Sequence, residues 1–104
     1  MTFKKGENNN MVHILINTEV EDYNKWKEAF TNGKKDREEA GIHEESVFQE
    51  VDDPNNVKIF FKADSLEKAM RLLTSEKLKK INKEVGVKEN PSVSFLKEDG
   101  DLAN

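Results

Sequence analysis

The sequence predicts an α+β domain of β-α-β-β-α-β order, an antiparallel sheet with its helices on one face, which is the ferredoxin-like plan. Three observations predict it. Four short segments are β-branched, aromatic or alternating: VHILINTEV from Val12, IHEESVFQEV from Ile42, VKIFFKA from Val57 and SVSFL from Ser92. The two stretches between them that begin at Asp22 and Asp64 carry apolar residues at helical spacing. The turn DDPNN joins the second and third strand segments directly, as a hairpin does.

The first strand places Val12, Ile14 and Ile16 on one face and His13, Leu15 and Asn17 on the other. Asp22 then caps a helix whose stripe is Tyr23, Trp26, Ala29 and Phe30, with the lysines and acids of the segment on the wet side. Gly33 weakens that helix, and Gly41 supplies a left-handed residue to end it. After the hairpin, Asp64 and Glu67 have capping-box spacing ahead of a stripe of Leu66, Ala69, Met70 and Leu73. Ser75 restarts a helix with Leu78, Ile81 and Val85 apolar, so the second helical stretch is split in two. Gly86 and Val87 form a Schellman-type end, and Pro91 opens the last strand.

A chain of 104 residues has room for one core, expected over residues 11–97 between a mobile N-terminal arm, 1–10, and a polar C-terminal tail, 98–104. The composition is 37% charged with a net charge of −4, which argues against a nucleic-acid partner, since phosphate binding needs clustered Lys and Arg. KIFFKA on the third strand lacks the Gly and aromatic spacing of sheet-surface RNA readers. There is no cysteine, hence no disulfide frame, thiolate metal site or Cys nucleophile. No apolar run approaches the roughly 18 residues of a membrane span, and no signal-peptide core follows Lys4 and Lys5; the expectation is a cytoplasmic protein with no membrane partner.

The helix-facing side of the sheet is expected to hold Val12, Ile14, Ile16, Val57, Ile59, Phe61, Val93 and Phe95. The opposite side holds Leu15, Phe48, Phe60 and Leu96 among polar residues. Leaving those four in water forgoes roughly 1.5–3 kcal/mol each, a sum comparable with the whole stability of a small domain. A second copy of the sheet is the expected cover, giving a homodimer with these four at its interface.

Read along its length, the chain resembles the dimeric α+β barrel superfamily. The likeness lies in the first strand followed by VEDYNKWKEAF, then AGI, VFQEVDDPNNVKIFFKA, DSLEKAMRLLTSEKLKKINKEVGV and PSVSFL, and covers residues 11–97. It is greatest to small uncharacterised members related to the antibiotic biosynthesis monooxygenase group. The resemblance implies two sheets packed face to face as a dimeric barrel, helices outside, and in many members a ligand cavity between helices and sheet. Its chemistry is diverse: cofactor-independent monooxygenases, heme-degrading enzymes, lactone isomerases, dehydratases and proteins of no known activity. An Asn on or near the first strand with aromatic residues serves the oxidising members, and Asn17 and Trp26 are the counterparts here. The heme-degrading branch has an iron-ligating His on its second helix, whereas Leu66 to Val85 contains no His.

Tyr23, Trp26 and Phe30 have two readings, core packing and the lining of a small apolar cavity; both hold if the core is incompletely filled. His13 and His43 should be separated by the third strand, about 10 Å apart, too far to share a metal ion, and no metal site is expected. His13 is the candidate for acid–base work near neutral pH, and Asn17 is the other catalytic candidate. The carboxylates Glu38, Glu39, Glu44, Glu45, Asp52 and Asp53 read as solvated. The leading expectation is a homodimer that binds or oxidises a small apolar or aromatic molecule with neither metal nor flavin. If it is an enzyme, it is monooxygenase-like or isomerase/cyclase-like. The alternative is a non-catalytic dimerisation or regulatory module with no ligand.

Overall fold

In the computed structural model, residues 11–88 and 91–98 are described. The expected arm at 1–10, and the tail beyond Glu98, lie outside the described residues. Within them the order is β1 (Val12–Glu19), α1 (Tyr23–Asn32), α2 (Lys34–Glu39), β2 (Ile42–Gln49), β3 (Asn56–Ala63), α3 (Leu66–Leu73), α4 (Glu76–Glu84) and β4 (Ser92–Leu96). The strands form one antiparallel sheet in the order β2-β3-β1-β4. This is the ferredoxin-like α+β plan.

Local chemistry sets most of the boundaries. The Asp22 carboxylate accepts from the backbone N–H groups of Asn24 at 3.0 Å and Lys25 at 3.3 Å, satisfying two donors that α1 leaves open. At the far end of the chain's last helix, Val87 N–H donates to Asn82 O at 2.9 Å and Gly86 N–H to Lys83 O at 3.3 Å. Those two bonds are the Schellman pair, and Gly86 has the φ of 83° that it requires. Val87 then bridges to Val20, so the cap also ties the end of α4 to the sheet. In the hairpin, Asn55 does more than turn the chain: its Oδ1 accepts from Tyr23 N–H at 3.0 Å and its Nδ2 donates to Glu21 O at 3.3 Å, holding the entry to α1.

Two expectations need correction. Ser65, not Asp64, caps α3, its hydroxyl accepting from Lys68 N–H at 3.3 Å. Asp64 is still tied to the sheet end by its N–H, which donates to Gly41 O at 2.9 Å, so the helix begins one residue later. The inward face of α3 is also rotated: Ala69 is buried and Leu72 and Leu73 pack on the core, while Leu66 and Met70 are exposed. Glu67 spends its charge on Arg71 at 3.1 Å, an i,i+4 pair, rather than on a capping box.

The core lies between the sheet and the helices and is built on Ile14, Ile16, Val20, Val57, Ile59 and Phe61 with Trp26, Ile42 and Ala69. Val93 and Phe95 share that face, paired to Ile16 and Ile14, yet remain exposed because the helices do not close over β4. In β2, Glu44 and Glu45 together oppose the single residue between Lys62 and Phe60, and Glu44 has φ 53°. This bulge brings Ile42 and Val47, an odd number of residues apart, onto the same helix-facing side, opposite Ala63 and Ile59. It also turns Glu45 toward the helices.

Candidate functional site: an aromatic-walled groove between helices and sheet

A groove of about 650 Å³ opens between the helices and the sheet. Ile16, Thr18, Ile59 and Phe61 form its floor, Trp26, Ala29, Phe30 and Arg37 one wall, and Leu78, Ile81 and Val85 of α4 the other. No residue of α4 is fully buried, and its apolar residues Leu78 and Ile81 face the hollow.

The α1 wall is a continuous aromatic column. Tyr23 leans on Trp26 with ring centres 5.7 Å apart, Trp26 stacks on Phe30 at 4.9 Å, and Phe30 lies 6.1 Å from Phe61 on the sheet. Trp26 and Phe30 line the groove, and Tyr23 backs Trp26 from outside the lining. The helical spacing of these residues supplies the column, since positions three and four apart lie one above the other.

The column ends on a buried ion pair. Arg37 Nε donates to Glu45 Oε2 at 2.6 Å and Nη2 to Oε1 at 3.1 Å, a bidentate pair. Its Nη1 donates to Phe30 O at 2.7 Å, a carbonyl that also accepts from Gly33 N–H at 3.2 Å, and its Cζ sits 3.8 Å over the Phe30 ring. Gly33 makes this possible by interrupting the helix, so that α2 can fold Arg37 back under α1. Glu45, expected in water with the other acids, is thus a correction: the β2 bulge sends it inward, where the guanidinium neutralises it. The pairing had no signal in sequence spacing.

Two polar features complete the groove. Thr18 Oγ1 is buried and has no hydrogen-bond partner among the described residues. Across the mouth, Lys77 Nζ of α4 lies 2.9 Å from Asp36 Oδ2 of α2, joining the two walls. The hydrogen bond and charge of Lys77 hold the Asp36 carboxyl below the usual range, and Asp36 raises Lys77 in return.

The two catalytic candidates, His13 and Asn17, lie elsewhere. The register of β1 is unbroken against both neighbours, so Asn17 faces away from the helices, opposite Lys58 and Ser92, and does not meet Trp26. His13 and His43 flank Lys62 in one row across β1, β3 and β2 of that open face. Each has its own carboxylate: His43 Nε2 is 2.8 Å from Asp64 Oδ1, and His13 Nε2 is 3.7 Å from Glu98 Oε1. Among the described residues no cluster of three or more His, Asp or Glu is placed to hold a metal ion, and no helix is long and apolar enough to cross a membrane.

The open face also carries Leu15, Phe48, Phe60 and Leu96. Phe48 is 54%, Phe60 43% and Leu96 45% exposed, and the two phenylalanines meet edge to face at 5.7 Å.

Solved structures of antibiotic biosynthesis monooxygenase-like proteins share this fold, a four-stranded antiparallel sheet with helices on one face. A putative antibiotic biosynthesis monooxygenase from Bordetella bronchiseptica superposes with a TM-score of 0.70 at 14% identity, over 86% of this chain and 98% of that one. SnoaB, a cofactor-independent oxygenase from Streptomyces nogalater, gives 0.70 at 9% identity over 86% and 94%. A putative antibiotic biosynthesis monooxygenase from Caulobacter crescentus gives 0.69 at 10% identity over 92% and 96%. At these identities the likeness is one of fold. No protein-family model matches the sequence, and no curated protein matches it.

Proposed function

We propose that this chain is a homodimeric protein that binds a small apolar, aromatic molecule in the groove under α1. The observation that carries the reading is the groove itself: about 650 Å³ of mostly apolar space walled by the stacked Trp26 and Phe30. Ligand sites are commonly hollows of this size, with an apolar lining and few polar groups. The aromatic column offers a flat face for stacking, held rigid by Arg37 and Phe61 at its base. The polar side chains of the lining are hydroxyls, the Asn82 amide, ammonium groups and the Arg37 guanidinium, with Asp36 as the single carboxylate and no histidine among the described lining residues. That set favours binding. Oxidation of the bound molecule without metal or flavin is the second reading, supported by the shared fold with SnoaB.

Dimerisation through the open face is supported by Leu15, Phe48, Phe60 and Leu96, whose apolar surface a second copy of the sheet would bury. Such a pairing leaves the groove, on the other side of the sheet, free to take its ligand. Asn17 and His13 would then lie at the interface rather than in the groove.

Trp26 is the only tryptophan and lines the groove, so its fluorescence reports occupancy directly. Titration with a diverse library of apolar aromatic compounds should find several that quench or shift the emission saturably, and sedimentation should give a dimer at micromolar concentration. No response from any compound would reject the binding reading in favour of a module that only assembles.

A further inference from the structure

The charges around the groove do not match those of the chain. The protein as a whole carries −4, yet the charged residues of the groove lining are Asp36 against Arg37, Lys77, Lys79, Lys83 and Lys88. Arg37 is neutralised by Glu45 and Lys77 by Asp36. Lys79 has only a loose i,i+3 pair with Glu76 at 3.7 Å, with both side chains well exposed, and Lys83 and Lys88 make no ion pair with any described residue. All three stand on the side of α4 and the segment that follows it. The Schellman end at Gly86 and the Val20–Val87 bridge hold Lys88 beside the mouth.

We infer that the groove's ligand is an amphipathic organic anion, with an apolar body laid against Trp26 and Phe30 and a carboxylate or similar single-charge head at the mouth among Lys79, Lys83 and Lys88. This rests on the reading that the groove binds a small molecule, and adds the ligand's charge and orientation. A cleft lined by one sign of charge concentrates ligands of the opposite sign, and low-dielectric walls strengthen that field. The apolar floor cannot solvate a charge, so the head stays at the rim where ammonium groups and water share it. A net-acidic protein repels anions elsewhere on its surface, which makes any anion preference local to this mouth.

The test compares isosteres on the wild-type protein by Trp26 fluorescence: naphthoate, naphthylmethanol and naphthylmethylamine as an aromatic set, and decanoate, decanol and decylamine as an acyl set. Three exposed ammonium groups, each contributing weakly, should favour the anion over the neutral isostere by about 3- to 10-fold at low salt, with the amine weakest. The preference should shrink as salt rises to 0.5 M, and should vanish in a Lys79→Gln/Lys83→Gln/Lys88→Gln variant, which should bind the anion and its neutral isostere alike. The set that binds tighter tells an aromatic from an acyl body. Equal or tighter binding of the neutral isosteres at low salt overturns the inference and leaves the binding function intact. Silence from every probe of either set overturns both.

Discussion

The two faces of one sheet, built by alternate residues of the same strands, meet different fates. On one, Ile14, Ile16, Ile59 and Phe61 are covered by the chain's own helices; on the other, Phe48, Phe60 and Leu96 stand exposed beside Lys58, Lys62 and His13. The covered face is also incompletely covered, since α4 buries no residue fully and a groove remains beneath it. The difference leaves two unlike surfaces on one scaffold. A face lacking intrachain cover suits a large flat partner, and a face with partial cover suits a small one. Strand alternation keeps the two apart, because a residue on β1 can serve either side but not both.

The most damaging way to break the helix side is to strip the ion pair at the foot of the aromatic column. Arg37→Met leaves the half-buried Glu45 without its partner and removes one of the two bonds to Phe30 O, which should cost about 1–3 kcal/mol in urea unfolding. Replacing both residues, Arg37→Met with Glu45→Leu, should recover much of the loss, because two apolar side chains of similar volume need no desolvation. If the double variant is no more stable than the single one, the pair does more than neutralise itself. On the open face, Phe60→Lys should leave the monomer folded by circular dichroism and shift sedimentation from dimer to monomer at micromolar concentration. A folded dimer from this variant would show that the two copies meet elsewhere.

What the sequence revealed and what it hid divides along the same line. Asp22 as a cap, the DDPNN turn, the split at Ser75 and the Gly86–Val87 ending are decided within a few residues, so their chemistry is visible locally. The alternation of β1 and β3 is equally local, and it placed Leu15 and Phe60 on the open side. Arg37 and Glu45 were hidden because their burial depends on two distant accidents of backbone, the break at Gly33 and the bulge at Glu44. Nothing in a run of charged residues marks the one that turns inward. The groove was half legible: Trp26 and Phe30 allowed both core packing and cavity lining, but Leu78, Ile81 and Val85 have the spacing of a core stripe, and only packing shows that they face a hollow. Thr18 looked like one more strand residue, although its face and its unpartnered hydroxyl put it in the groove floor.

Thr18 sharpens the comparison with a smaller effect. Its Oγ1 is buried with no partner among the described residues, a state that costs about 1–3 kcal/mol relative to an apolar isostere. Thr18→Val should therefore raise the stability of the ligand-free protein by roughly 1 kcal/mol or more, against the general trend of core substitutions. If it also weakens the best groove ligand, the hydroxyl is kept for binding and not for folding. A loss of stability would mean that water already satisfies it.

The smallest expected effect concerns the Asp36–Lys77 pair that spans the mouth. Both groups are open to solvent, so the pair contributes little to stability, but it ties α2 to α4 at an edge of the groove. Asp36 has its pKa lowered by the Lys77 hydrogen bond, so its share of stability is present above the ordinary carboxylate pKa and fades as pH falls through the depressed value. Lys77 is raised, so its share is present below the ordinary ammonium pKa and is lost as pH rises through the elevated one. Between those limits the mouth is tied at every pH near neutrality. Asp36→Asn should barely move the unfolding midpoint, yet it frees Lys77 and one wall from the other. Stopped-flow Trp26 quenching should then show faster ligand entry and exit with a modest change in affinity, and unchanged rates would show that the walls open without breaking this pair.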